Sequence, residues 1–286
     1  MASLKAIRKR ISSVKSTQQI TKAMKMVAAA KLRRAQEAVI AARPYADKLG
    51  ELLQNVAARV GDDTHPLLAV RAEERVTHLL LVSSDRGLCG GYNTNLIRRT
   101  EAFLAEHGRD RVRFTIVGRK AYDYYKRRQV QIVAQHINLF GGPNHALAES
   151  VGRELARSFA AGEVDSVYLL YNKFHSAISQ VPTVERLLPL TATASDDDSA
   201  TDYLYEPDAA TLLERLLRQY ITVLIHRAFL ESLASFHGAQ MTAMDSASKN
   251  ASEMIDRLTL QMNRARQGAI TTELMEIVSG AEALKG

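Results

Sequence analysis

The chain has 286 residues, of which 46% are hydrophobic and 24% charged, and its formal net charge is +7. This composition is typical of a folded globular protein and excludes a disordered chain. Cys89 is the single cysteine, so no intrachain disulfide can form. The sequence contains no run of about 18 apolar residues, so we expect no membrane-spanning helix.

The first segment combines a helical pattern with a strong positive charge. Apolar or small residues recur in steps of three and four from Leu4 to Val60, which is the spacing of a coiled-coil seam, and Pro44 predicts a kink. Residues 1–36 carry ten Lys or Arg residues and no acidic residue. Such a segment is expected to meet an acidic surface, which could be protein, nucleic acid or anionic lipid. An organelle transit peptide is an alternative, but the helical pattern continues through residue 36 without a break.

The middle of the chain alternates between two patterns. Compact apolar runs predict strands, and helical patterns lie between them near residues 92–106, 119–128 and 144–161. This alternation predicts a parallel sheet with helices on its faces, and residues 191–202 are polar and predict a loop. The predicted strands are Val76–Val82, Val112–Val117, Gln131–Ala134, Val167–Tyr171 and, as a further strand, Val181–Leu190.

The last segment contains no proline after Pro207, and Asp208 can cap the start of a helix there. Its seam recurs from Leu213 to Ala265 and resumes from Ile270 to Leu284. Between residues 212 and 236 the apolar residues cover more than one face. That stretch is therefore expected to be buried on two sides, by a partner helix and by a globular domain.

These patterns together predict an α/β protein with long helices. The N- and C-terminal helices are expected to pair as an antiparallel two-helix coiled coil, with a Rossmann-like α/β domain inserted between them. The expected boundaries are residues 1–60 for the first helix, 61–207 for the inserted domain and 208–286 for the last helix.

The glycine-rich stretch DRGLCGGYN, residues 85–93, follows a predicted strand and precedes a predicted helix, the position at which nucleotide-binding loops occur. The spacing of its glycines matches neither the dinucleotide-binding fingerprint nor the P-loop, so it predicts a tight turn in which Cys89 is structural. His226 and His237 would lie about 16 Å apart along a helix, too far to share a metal ion. We expect no catalytic set, no metal site and no cofactor in this chain.

Three aromatic residues stand beside basic ones in the predicted helix near residues 119–128. Tyr122, Tyr124 and Tyr125 among Lys and Arg could stack on nucleic-acid bases, although a helix with a polar face explains them as well.

Three long stretches of the sequence are distinctive: IRKRISSVKSTQQITKAMKMVAAAK (residues 7–31), SSDRGLCGGYN (83–93) and ARQGAITTELMEIVSGAEAL (265–284). All three resemble one family, the gamma subunit of F-type ATP synthase. The resemblance implies a non-catalytic central rotor stalk in a proton-translocating enzyme, with its coiled coil inside a ring of three alpha and three beta subunits. It also implies an α/β foot that touches the epsilon subunit and the membrane c-ring.

The same resemblance implies particular contact residues. Contacts to beta fall on Met24 and Lys25 and on Arg266 and Gln267, and contacts to epsilon or the c-ring fall on Tyr203, Tyr205 and Glu206. The chain lacks the cysteine pair of chloroplast relatives, so the expected location is peripheral, on the cytoplasmic face of a bacterial inner membrane. Two alternatives are a basic coiled-coil protein that binds nucleic acid and an α/β enzyme that uses the loop around Gly90.

Overall fold

The computed structural model describes residues 4–60, 65–71, 73–138, 145–190 and 209–283. Its helices are α1 (Leu4–Val60), α2 (Tyr92–His107), α3 (Arg119–Tyr125), α4 (His145–Ala160) and α5 (Ala209–Ala283). Its strands are β1 (Thr77–Val82), β2 (Val112–Val117), β3 (Gln131–His136), β4 (Ser166–Phe174) and β5 (Gln180–Leu188). The predicted elements in these ranges are present. The predicted loop at 191–202 and the predicted cap Asp208 lie outside the described residues.

The five strands form one sheet in the order β3-β2-β1-β4-β5. The pairs β1–β2, β1–β4 and β2–β3 are parallel, as predicted. Helices α2, α3 and α4 connect β1 to β2, β2 to β3 and β3 to β4. The pair β4–β5 is antiparallel, so the sheet is mixed rather than wholly parallel. The reason is local: the turn at Ser176–Ser179 reverses the chain at once, and no crossover helix intervenes.

Both faces of the sheet are buried at its centre, because helices cover each of them, whereas the edge strand β3 is partly exposed. On β1, Leu79 and Leu81 belong to the apolar cluster with α2 and α3, whereas Leu80 and Val82 belong to the cluster with α4, α1 and α5. Adjacent residues of a strand point to opposite faces, so a continuous apolar run is what a doubly covered parallel strand requires. Burying each leucine is worth about 2 kcal/mol.

The carboxyl ends of β1 and β2 approach each other closely at Gly118. Its φ is +97°, and a Cβ there would lie 2.3 Å from the carbonyl oxygen of Ser83. The Gly118 amide donates to the carbonyl of His136 at 2.7 Å, and the Ser83 amide donates to that of Val117 at 2.8 Å. Only glycine fits this position, which fixes the edge of the sheet where the turn after β1 begins.

By internal contacts the chain separates into two units. Residues 28–240 form the central unit, and residues 1–27 with residues 241–286 form the terminal unit. Both long helices continue from one unit into the other. The predicted division of the chain at residues 60/61 and 207/208 stays a prediction.

Within the central unit, α1 and α5 run antiparallel. Tyr45 accepts a hydrogen bond from Gln219, whereas Lys31, earlier in α1, acts electrostatically on His237, later in α5. The predicted seam of α1 is buried at Ala28, Leu32, Ala35, Val39, Ala46, Leu49, Leu53 and Val56. The helix continues through Pro44. On α5 every residue from Ile221 to Ala239 is buried or half-buried, whereas Glu214, Arg215, Arg218 and Gln219 are exposed. The two-sided burial predicted for residues 212–236 is therefore present only from residue 221 onward.

Among the described residues, no helix combines the length and the hydropathy that crossing a membrane requires.

Candidate protein-binding interface

The terminal unit contains the start of α1 and the last part of α5, which pair as antiparallel helices of unequal length. Lys25 donates to Asp245 at 2.5 Å, which sets the register of the two antiparallel helices. Because both helices rise by about 1.5 Å per residue, this register places Leu4, the first described residue of α1, opposite about residue 266 of α5. The part of α5 beyond Arg266 therefore extends past the described part of α1.

Burial along the two helices follows this register. On α1 the seam is at least half-buried at Leu4, Ile7, Ile11, Val14, Gln18, Thr21 and Met24. On α5 the predicted seam is at least half-buried from Met241 to Ala265, and every described side chain from Ile270 onward is exposed. Seam residues that would be buried in a longer pair are instead open, with Ile270 47%, Leu274 57% and Ile277 68% exposed.

The end of α5 is thus an apolar surface without a covering helix among the described residues. Met275 and Val278 add to it, at 61% and 54% exposure. Gly268 and Gly280 have no heavy atom within 4 Å of an added Cβ, so this stretch meets no neighbouring element there. A contiguous exposed apolar surface of this kind is a mark of a protein–protein contact.

The outer face of α1 is strongly basic. Nine of the ten cations in residues 1–36 are exposed: Lys5, Arg8, Lys9, Arg10, Lys15, Lys22, Lys31, Arg33 and Arg34. The first turn of α1 contains no acidic residue. These cations therefore form an exposed positive surface on the helix, and the acidic surface that it is expected to meet stays a prediction.

Asp245 holds two cations at once. Its carboxylate accepts from Lys25 and lies 3.0 Å from Lys249, and the bonds from these two ammonium groups lower the pKa of Asp245. Lys25 is consequently half-buried against α5 rather than free in solvent.

The residues expected to contact beta fall into two separate places. Met24 and Lys25 are half-buried where α1 meets α5, while Arg266 and Gln267 are exposed near the start of α1. At 1.5 Å per residue these places lie about 30 Å apart along the helix pair. The structure therefore does not bring the four residues together. Tyr203, Tyr205 and Glu206 lie outside the described residues.

Sequence reasoning missed three apolar residues on the basic helix. Ile20, Met26 and Val27 are 59%, 62% and 56% exposed, because they stand off the seam. The sequence could have indicated them, because they lie outside the three-and-four pattern, on a helix face that usually carries polar residues. They give the basic face an apolar component.

The glycine-rich turn after β1 is closed by hydrogen bonds between its own residues, as expected for a tight turn. Ser84 Oγ donates to the side-chain oxygen of Asn93 at 2.9 Å, and Asn93 donates to the Cys89 sulfur at 3.2 Å. Cys89 is buried, and burial raises the pKa of its thiol. Leu88 and Gly90 have positive φ, which the tightness of the turn requires.

The remaining sequence motifs have structural roles in the described part of the chain. The ring of Tyr125 is buried and stacks on Phe114, so it is closed to a nucleic-acid base. Arg128 lies over the ring of Tyr124 at 3.3 Å. No group of three His, Cys, Asp or Glu side chains within the described ranges could hold a metal ion.

Comparison with known proteins gives one consistent result. A family model described as "ATP synthase" matches residues 3–284. The chain is 54% identical over 289 residues to the ATP synthase gamma chain of Geotalea uraniireducens (strain Rf4), and 52% identical over 285 residues to that of Desulfitobacterium hafniense (strain DSM 10664 / DCB-2). Both matches cover all of this chain and all of the relative.

Solved structures show the same likeness. The central stalk/c-ring structure of the Tetrahymena thermophila mitochondrial ATP synthase matches 80% of this chain and 99% of that chain, with TM-score 0.63 and 25% identity. A chain in the F1/c-ring structure of the Euglena gracilis enzyme matches 98% of this chain and 94% of its own length, with TM-score 0.67 and 22% identity. The latter shows the fold alone.

Proposed function

Since this chain belongs to the gamma-chain family of ATP synthase and is a central stalk subunit rather than a catalytic one, we propose that it carries the rotation of a membrane c-ring to an alpha3–beta3 ring. The observation that supports this most directly is the end of α5, where seam residues from Ile270 onward are exposed. An apolar helix end needs a protein surface around it, and one without fixed ion pairs can turn inside that surface. The full-length match to gamma chains favours this function over the nucleic-acid-binding alternative.

The basic face of α1 is proposed to meet acidic side chains of beta. Exposed ion pairs contribute only about 0–1 kcal/mol each, so they can break and reform as the stalk turns. Lys25 fits this role well. If it leaves Asp245 for a carboxylate of beta, Lys249 remains on Asp245, so no charge of this chain is left unpaired.

Arg266 and Gln267 are proposed as the second contact with beta. Both are exposed at the point where α5 extends past the start of α1. The guanidinium group of Arg266 could bind a carboxylate or a carbonyl with two parallel hydrogen bonds. We further propose that residues 61–207 form the foot, which touches epsilon and the c-ring, with Tyr203, Tyr205 and Glu206 among the contacts.

Location follows from the complex. The two sequence relatives named above, from Geotalea uraniireducens and Desulfitobacterium hafniense, are bacterial, so we propose that the chain is peripheral, on the cytoplasmic face of the inner membrane, and held there by the c-ring and epsilon.

Arg266→Ala in the assembled enzyme tests the proposed contact. We expect lower ATP turnover or a lower yield of complex, because a donor to beta is removed. Arg257→Ala is a matched control, since Arg257 is an exposed arginine on the same helix, paired with Glu253 at 3.6 Å. Turnover is measured on purified complex, and the subunits are quantified by gel.

The two halves of the proposal fail in different ways. Equal turnover and yield in Arg266→Ala and Arg257→Ala would remove Arg266 as a contact. A tagged wild-type chain that co-purifies from its native membrane without alpha, beta and c subunits would contradict the stalk function itself.

A further inference from the structure

The buried part of α5 carries a polar stripe. Arg227, Glu231 and Ser235 stand four residues apart and so lie on one face of the helix. Glu231 is 5% exposed and Ser235 is fully buried, in a stretch whose other residues are mostly apolar. Burying polar groups costs free energy unless they are bonded, so such a stripe in an apolar helix calls for a reason.

The stripe begins at an ion cluster with β4 and β5. Arg227 Nη2 donates to Glu185 Oε2 on β5 at 3.0 Å, and the hydroxyl of Tyr171 on β4 donates to the other oxygen of Glu185 at 3.0 Å. Lys173 Nζ lies 3.6 Å from that second oxygen, and Arg227 Nε lies 3.9 Å from Glu231 Oε1. A single cluster of charged side chains therefore joins strands β4 and β5 to helix α5.

The stripe ends two turns later at the backbone of β4. Ser235 Oγ donates to the carbonyl oxygen of Asn172 at 2.9 Å. Asn172 lies on β4 opposite Pro182 of β5, so this hydrogen bond ties α5 directly to the backbone of the sheet.

Two further contacts fix the same stretch of helix. The hydroxyl of Tyr92, at the start of α2, donates to the carbonyl of Ser232 at 3.2 Å. At Gly238 the helix meets the β4–β5 turn so closely that an added Cβ would lie 3.2 Å from Ala177 Cα. Residues 227–238 are therefore held by directional or close contacts on every turn.

Directional contacts constrain a helix differently from apolar packing. Hydrophobic attraction has no preferred direction, so apolar packing specifies the register of a helix on a sheet less sharply than bonded polar groups do. Shifting α5 by one turn, about 5.4 Å, would separate the partly buried Arg227 from Glu185 on β5 and move the buried Glu231 away from Lys173 on β4. An unpaired buried charge is strongly unfavourable, and buried ionic groups that fix register are a documented use of such groups.

Resting on the stalk function proposed above, we propose that Arg227, Glu231 and Ser235 are positioning residues that fix the axial and rotational register of α5 on strands β4 and β5. Torque that enters the sheet then passes into α5 without slippage. The rotational angle of α5 then stays fixed relative to the sheet, which is the part of the chain that is turned.

The surroundings of Glu231 agree with this role. Burial raises the pKa of Glu231, while the charges of Arg227 and Lys173 oppose that effect. The carboxylate is thus held in an apolar site by cations on the helix and on the sheet, and it would lose one of them if the register changed.

The test compares ATP hydrolysis with ATP-driven proton uptake in membrane vesicles that contain the complete complex. In Arg227→Met we expect hydrolysis to continue and proton uptake per ATP to fall severalfold, because α5 slips under load. Arg218→Met is the matched control, since Arg218 forms an exposed pair with Glu214 on the same helix at 2.6 Å. Proton uptake per ATP in Arg218→Met should equal that of the wild type.

Two further variants guard against misfolding. Ser235→Ala removes a single hydroxyl and should assemble normally, with a smaller fall in the same ratio. Arg227→Lys keeps the charge and should restore part of the ratio lost in Arg227→Met.

The outcomes separate register from stability and from the stalk function. A purely stabilising role would lower the yield of complex in Arg227→Met and Ser235→Ala while leaving proton uptake per ATP unchanged, and that result would overturn the proposal. A wild-type chain absent from the complex would instead overturn the stalk function on which the proposal rests.

Discussion

Two histidines in the interior of the central unit link its stability to pH. Burial lowers the pKa of His78 to about 4, and the charge of Arg113 acts in the same direction. Burial, together with the charge of Lys31, lowers the pKa of His237 to about 4. Below pH 6.5 the unfolded chain binds protons that the folded chain excludes, so stability falls as the pH is lowered toward 4 and levels off below it.

His78→Gln tests this linkage. Without this histidine, the unfolded chain no longer gains a proton that the folded chain excludes. The unfolding free energy should therefore change less between pH 6.5 and 4, the range in which His78 contributes about 3 kcal/mol. Urea unfolding at a series of pH values measures the slope. Thr115→Val is the control, since it removes the hydroxyl 2.9 Å from His78 Nε2 but leaves the ring buried. A slope as steep in His78→Gln as in the wild type would contradict the assignment.

At the scale of elements, the seams could be predicted because their period is written directly in the sequence. The positions expected at the interface of α1 are buried or half-buried, from Ile7 through Val56. The direction of β5 could not be predicted in this way. It depends on the tight turn at Ser176–Ser179, whereas the strand's composition is compatible with either direction.

The candidate contact residues were predictable only in part. Lys25 could be assigned to the basic helix from sequence, but its partner Asp245 is 220 residues away and depends on the register of the two helices. The exposed end of α5 has the same origin. The apolar pattern of α5 continues beyond Ala265, so the pattern alone does not show where pairing with α1 stops. Only the register of the two helices shows that the described part of α1 begins opposite about residue 266 of α5.

Two leucines on the long helices should respond differently to the same truncation. Leu32 is 5% exposed in the seam of α1, and Leu32→Ala should cost about 2–5 kcal/mol of unfolding free energy. Leu274 is 57% exposed, and Leu274→Ala should change the stability of the chain by less than about 0.5 kcal/mol. Denaturant unfolding measures both.

The same pair separates chain stability from assembly. If the end of α5 is covered by a ring, the complex with Leu274→Ala should dissociate at a lower temperature than the wild-type complex, although the free chain is unaffected. A complex of unchanged thermal stability would show that Leu274 contributes no contact there.

At the scale of the whole molecule, charge is divided unevenly along the chain. Ten of its 38 Lys and Arg residues lie in residues 1–36, which contain no acid, so the remaining residues are close to neutral. Most of the ten are exposed along α1. A concentrated charge of one sign accelerates encounter with an oppositely charged partner and is screened over about 10 Å at 0.1 M salt.

This charge distribution predicts how the chain joins its ring. Replacing three exposed cations of α1 in the variant Lys5→Gln/Lys9→Gln/Lys15→Gln should slow association with an alpha–beta ring by roughly tenfold at low salt and flatten its salt dependence. The control Arg127→Gln/Arg153→Gln/Arg215→Gln removes the same charge from exposed positions of the central unit. Stopped-flow association at several salt concentrations compares them. Because net charge is equal in the two variants, an equal loss of rate would mean that the ring responds to total charge, whereas a loss confined to the first variant would identify α1 as the surface that the ring recognises.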